Sequence, residues 1–176
     1  MTERHHTRIA MAIALFAAIG SAQAASDLKV HLSTDTSSAK NRSVIVTATF
    51  TNEGDEAAYI YRPESPFGRY DDEPASDFLK VKDSSGNPVQ YIGSRDHWGP
   101  VEASHFVTVA PGQSVQKRVD ITNAYAFGTG GVFSARYVAY QRRPPELPRR
   151  AKERAPLPPL ESDDVVLVVD KPSDQQ

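Results

Sequence analysis

The chain has 176 residues, no cysteine, and 20 basic against 22 acidic side chains, for a formal net charge of −2. So small a charge gives no general reason to expect nucleic acid or an anionic lipid surface as a partner. The absence of cysteine excludes disulfides and thiolate chemistry, so stability has to come from packing.

The first 24 residues read as a signal peptide. Arg4 and Arg8, with His5 and His6, make a basic start, and "IAMAIALFAAIG" (residues 9–20) is an apolar run. "AQA" (residues 22–24) then supplies small residues for cleavage. An uncleaved anchor is the alternative, but the run is shorter than the about 20 residues a bilayer requires. The expectation is therefore a chain exported to the periplasm or beyond, starting at Ala25 and without membrane insertion once mature. No cysteine is present to carry a lipid anchor, and both methionines, Met1 and Met11, leave with the leader. What remains is one domain's worth of chain.

From there, apolar residues recur with period two, which places them on one face of a strand. In "DLKVHLST", Leu28, Val30 and Leu32 share a face while Lys29, His31 and Ser33 take the other. In "SVIVTATFTN", Val44, Val46, Ala48 and Phe50 alternate with Ile45, Thr47, Thr49 and Thr51. "NEGDE" (residues 52–56) looks like a Gly-centred turn joining adjacent antiparallel strands. "AAYIYR" is the next strand, ended by Pro63, and residues 63–76 read as a surface loop. "DFLKVKD" and "PVQYIG" flank "SSGN", a hairpin signal.

"SHFVTVA" leads through a "PGQS" turn to "VQKRVDIT", in which Val115, Val119 and Ile121 are in phase. Lys117 falls on that same face, a conflict relieved if the strand lies at a sheet edge. "VFSARYVAY" puts Phe133, Ala135, Tyr137 and Ala139 on one side, and "DVVLVVD" is apolar on both phases, as in a strand covered on both faces. Eight or nine short strands with no amphipathic helix predict an all-β, immunoglobulin-like antiparallel sandwich made of residues 25–140 and 162–171. Tyr125 is placed either as a tyrosine corner closing the sheets or as an ordinary buried aromatic.

Residues 141–161 break the pattern with six prolines and six basic side chains. They should form a mobile loop insertion, since proline cannot donate to a ladder and charge at this density resists burial. The last residues, 172–176, read as a disordered tail.

Little of the chain advertises chemistry. There is no "HExxH" and no "GxSxG", and no serine stands in a strand–turn–helix context. His97 and His105, with Asp96 and Glu102 nearby, are the weak candidates for a metal, but their spacing matches no ligand pattern. The acids of "DDE" (residues 71–73) could hold calcium only without any spaced loop motif. The expectation is a non-catalytic protein with no cofactor and no resident metal. Its candidate interaction surface comprises Phe67, Arg69 and Tyr70 of the Pro-rich loop, Trp98, and Arg142, Arg143, Arg149 and Arg150 of the insertion. A solvated insertion with no partner is the plain alternative for those arginines.

Taken in order, "LKVHLSTD", "VIVTATFTNEGDEAAYIYR" with "SPFG", "SDFLKVKDSSGNPVQYIG", "FVTVAPGQSVQKRVDITNAYAF" and "GGVFSARYVAY" resemble a known succession. It is that of the N-terminal immunoglobulin-like region of deuterolysin-type metallopeptidases, the peptidyl-lysine metalloendopeptidase group. The resemblance covers about residues 27–140, with "SDDVVLVVD" fitting the closing strand. It implies a sandwich and an association with proteolysis, and carries no catalytic residue over. "TVAPGQSVQKRVDI" is also similar to a strand–turn–strand element of small bacterial proteinase inhibitors. The resemblance implies a protein partner, a secreted metallopeptidase, inhibited or helped to fold in trans. A general envelope interaction protein with no peptidase partner is the alternative, and a weak metal binder the least favoured one.

Overall fold

A computed structural model describes residues 27–34, 43–70, 73–147 and 157–170. The expected leader, tail, Arg149 and Arg150 lie outside the described residues. Nine strands form among the described residues. They are β1 (Leu28–Thr34), β2 (Ile45–Asn52), β3 (Ala58–Tyr61), β4 (Leu79–Asp83), β5 (Phe106–Val109), β6 (Ser114–Asp120), β7 (Gly131–Tyr140), β8 (Pro159–Glu161) and β9 (Val165–Val169). Among the described residues no helix is long and apolar enough to cross a membrane.

All pairings are antiparallel. One sheet runs β1–β2–β6, with Val30 opposite Phe50 and Phe50 opposite Val115. The facing sheet is built on β7, which pairs β4 on one side and β8 and β9 on the other. These are the strand orders of an immunoglobulin-type sandwich. β3 and β5 add a separate two-stranded ribbon, with Tyr61 opposite Phe106. β6 is the edge strand that Lys117 required.

The alternation in the sequence explains the core. Leu28, Val30, Leu32, Val46, Ala48 and Phe50 are buried from one sheet, and Phe133, Ala135, Tyr137 and Leu167 from the other. Phe50 sits at the junction of the layers: its ring meets Tyr137 edge-on at 5.2 Å and Phe67 at 5.7 Å. Ile45, placed outward by phase, is buried as well.

Four expectations need correcting. First, "NEGDE" does not join paired strands; β2 and β3 belong to different sheets, as do β5 and β6 across "PGQS". Asn52 explains both arches. Fully buried, it donates from Nδ2 to the carbonyls of Glu56 (2.7 Å) and Val109 (2.9 Å), and its Oδ1 accepts the Gly54 N–H. Its main chain bonds Gln113 O and Gly112 N. One side chain thus satisfies backbone groups that a hairpin ladder would otherwise pair.

Second, of the two roles open to Tyr125 the structure has the buried aromatic and not the tyrosine corner, in which the hydroxyl would bond backbone a few residues upstream. Its hydroxyl accepts from the Leu79 N–H (3.3 Å) and donates to Asp77 (3.0 Å), tying the 121–130 segment to β4.

Third, the start of the insertion is not a free excursion. Pro144 is buried, Gln141 Nε2 donates to Pro158 O (3.0 Å), and Glu146 accepts the Ala103 N–H (3.3 Å). Residues 141–147 are held by these bonds and by Arg142, which lies over Tyr61 and pairs with Glu64. Fourth, β9 is covered on one face only. Leu167 is buried, whereas Val166 and Val168 are exposed.

β8 and β9 lie along β7 as one interrupted strand. Val138 pairs Glu161 and Ala135 pairs Val165, so Ser162, Asp163 and Asp164 face only two residues of β7. This is a β-bulge. Ser162 Oγ accepts the Tyr137 N–H at 3.0 Å, replacing a ladder bond. Asp164 is thereby aimed at Arg136, which it grips with both oxygens (2.9 and 3.2 Å).

Three tyrosines make the sandwich sensitive to alkali. Burial, aided by the charge of Asp77, pushes the Tyr91 hydroxyl up to about 12 from its ordinary 10. Burial raises Tyr125 and Tyr137 further. Unfolded tyrosine ionises near 10, so hydroxide favours the unfolded chain above that value. The contribution of these neutral phenols is complete below about pH 10 and is lost as pH rises through about 12. In an alkaline titration, phenolate absorbance from these three should grow in step with loss of the strand signal in circular dichroism. Complete ionisation with the dichroism intact would contradict their burial.

Candidate functional site

The loop after β3 begins with a single 3-10 turn, Arg62–Glu64, with Pro63 in its first turn, where a missing N–H matters least. The loop then folds on itself. Ser65 Oγ donates to Arg62 O (3.1 Å) and accepts the Phe67 N–H (3.2 Å), and Arg62 donates to Phe67 O (3.2 Å). Phe67 therefore turns inward onto Phe50 and belongs to the core side of the loop rather than to a contact surface. Arg69 and Tyr70, just beyond, are exposed.

The stretch "SRDHWGP" is anchored by backbone. Tyr91 donates to Ser94 O, and the Asp96 N–H donates to Ala75 O (3.1 Å). That places Trp98 against Arg69, whose guanidinium carbon lies 4.8 Å from the indole centroid. Arg69 Nε is also 3.9 Å from Asp96 Oδ2, an ion-pair distance longer than a hydrogen bond. The imidazole of His105 meets Trp98 edge-on at 5.0 Å. Its Nδ1 accepts the Glu102 N–H (3.4 Å), which fixes the ring at the entrance to β5.

One residue later Phe106 is buried at the start of β5. Phe106 lies 5.2 Å from Tyr61 and 6.5 Å from Tyr59. Arg142 caps Tyr61 at 4.9 Å and pairs with Glu64 at 2.6 Å. The result is two clusters, Arg69–Trp98–His105 and Phe106–Tyr61–Arg142, joined through the chain at residues 105–106, each with an arginine over an aromatic ring. Among the described residues, Trp98 Nε1 and Asp96 Oδ2 are buried without a hydrogen-bond partner. An unpaired buried donor is costly, about 1–3 kcal/mol, and draws notice to this cluster.

Of the residues singled out from sequence, Arg69, Trp98 and His105 are brought together in one cluster, and Arg142 stands in the other. Arg143 is half-buried, and Tyr70 is exposed. Tyr61, Phe106 and Glu64 were not foreseen. The outward phase of Tyr59 and Tyr61 on β3 was a usable signal, but nothing in the sequence brings Arg142 to them from 78 or more positions away. His97 is exposed and His105 is engaged with Trp98. Among the described residues no three of His, Cys, Asp and Glu stand close enough together to hold a metal ion.

No protein-family model matches the chain, and no curated protein matches it.

Proposed function

We propose that this protein is a non-catalytic β-sandwich module that binds a protein partner on the surface running from Arg69 to Arg142. The carrying observation is the pair of arginine-capped aromatics, Arg69 over Trp98 and Arg142 over Tyr61. Trp, Tyr and Arg are the residues on which interface energy concentrates, because they give large rigid contact area and few rotamers to freeze.

The resemblance of residues 27–140 to metallopeptidase pro-regions supports an exported metallopeptidase as that partner, held inactive or assisted in folding. The basic leader, apolar run and small-residue cleavage pattern support export. The test is a titration of purified secreted metallopeptidases with this protein, reading both complex formation and peptidase activity. Trp98→Ala is expected to weaken the complex by about 2 kcal/mol, roughly thirtyfold, while leaving the thermal midpoint nearly unchanged. Unaltered binding by Trp98→Ala would remove the surface from consideration. Full peptidase activity at micromolar excess, with no effect on refolding, would leave the envelope interaction reading in its place.

A further inference from the structure

The order β1–β2–β6 leaves the outer side of β6 without a partner strand among the described residues. The facing sheet is closed differently. Residues 87–89 run along β4 on the side away from β7, with the Val89 N–H donating to Val81 O and the Asp83 N–H to Asn87 O (both 2.9 Å). An uncovered edge of seven residues, as in β6, is a template on which another strand can form.

The ladder fixes which groups this edge offers. At the two ends of the β2–β6 pairing, the Ile121 N–H donates to Val44 O and the Asn52 N–H to Gln113 O (both 2.9 Å). Hydrogen-bonded pairs recur at every second residue, so Val115, Lys117 and Val119 direct their main-chain groups to β2. The N–H and C=O of Gln116 and Arg118 therefore point outward along the free edge. Side chains of the first set share the core phase. Val115 and Val119 stand opposite Phe50 and Val46, and the half-buried Lys117 stands opposite Ala48, which has no exposed surface.

Lys117 is also the middle residue of Ser114–Asp120. Two copies related by a two-fold axis at this edge pair antiparallel, and the register that overlaps the whole strand turns about residue 117. It sets Gln116 against Arg118 of the other copy, in the phase their outward groups require. It also sets the two Lys117 side chains directly opposite each other, in a non-hydrogen-bonded pair with Cα atoms about 4.5 Å apart. Like charges so placed destabilise a pairing, here at the seam where two cores would join. Turning about Gln116 or Arg118 avoids that clash, but it shortens the overlap and sets each Lys117 against Val115 or Val119 of the other copy.

We infer that the β6 edge is a latent docking site for a second copy of this chain, and that Lys117 keeps it closed. With the charge removed, the core phase of β6 becomes one apolar row, and the two β1–β2–β6 sheets can join into a continuous sheet. The inference is independent of the surface between Arg69 and Arg142.

The test is the mass of the full chain in solution, read by sedimentation velocity from about 1 μM to about 300 μM. The unaltered protein and Lys117→Arg, which keeps the charge, should stay monomeric. Lys117→Val and Lys117→Thr, which supply a β-branched residue, should dimerise at least about tenfold more tightly than the unaltered chain. In those dimers the amides of Gln116 and Arg118 should become protected from hydrogen exchange. Adding Gln116→Pro to Lys117→Val removes one outward N–H and leaves the β2 ladder intact, so the monomer should return. Melting curves confirm that each variant folds. Lys117→Val and Lys117→Thr remaining monomeric, equal dimerisation by Lys117→Arg, dimers that survive Gln116→Pro, or an unaltered chain that already pairs through β6 would each overturn the inference.

Discussion

Asn52→Ala is expected to destabilise the domain by about 3 kcal/mol and to lower the thermal midpoint by roughly 10 °C. The side chain has no exposed surface and donates to two carbonyls, Glu56 O in the β2–β3 connection and Val109 O at the end of β5. Truncation removes both donors and leaves the carbonyls without their partner, at about 1–3 kcal/mol for each buried group left unsatisfied. It also frees the Gly54 N–H, so the β2–β3 arch loses its internal bond. Asn52→Asp keeps an acceptor for Gly54 but places a charge against two carbonyls, and should be at least as damaging. Scanning calorimetry of the two variants beside the unaltered chain decides the matter. A midpoint shift under about 2 °C would mean that the arches hold without this residue.

Phe50→Ala is expected to cost about 4 kcal/mol, the most of any single truncation considered. Its ring is fully buried and makes contacts with both Tyr137 and Phe67, so its removal opens a cavity between two sheets and a loop that cannot all relax at once. Phe50→Leu keeps most of the apolar volume and should cost less than half as much. Urea unfolding is the measurement, with an unchanged slope showing that the denatured state is unaffected. The effect reaches the contact surface. Phe67 anchors the loop that carries Arg69, so losing its neighbour should also weaken partner binding at Trp98. Stability lost without any change in that binding would show that the loop is held by Ser65 and Arg62 alone.

The sequence by itself determined which residues face the core. Alternation in "DLKVHLST", "VIVTATFTN" and "VFSARYVAY" follows from the two-residue period of a strand, and burial in β1, β2 and β7 repeats it closely. It also placed β6 at an edge, because Lys117 on an otherwise apolar phase needs a route to water. At the candidate surface it picked out Arg69, Trp98, His105 and Arg142 as residue types, without placing them together.

Which strand pairs with which was decided only by the tertiary structure. "NEGDE" carries the same local signal whether it closes a hairpin or an arch. The buried amide of Asn52 makes the difference, through a carbonyl 57 positions away. Tyr125 reaches β4, 46 positions upstream, and Arg142 reaches Glu64 across 78. The exposed valines of β9 follow the same logic, since an apolar phase records a preference for cover but does not supply a layer to provide it. Local periodicity reports the direction of a side chain relative to its own backbone. The identity of its neighbour depends on loop closure and on competition among all buried polar groups for partners, and those are properties of the whole chain.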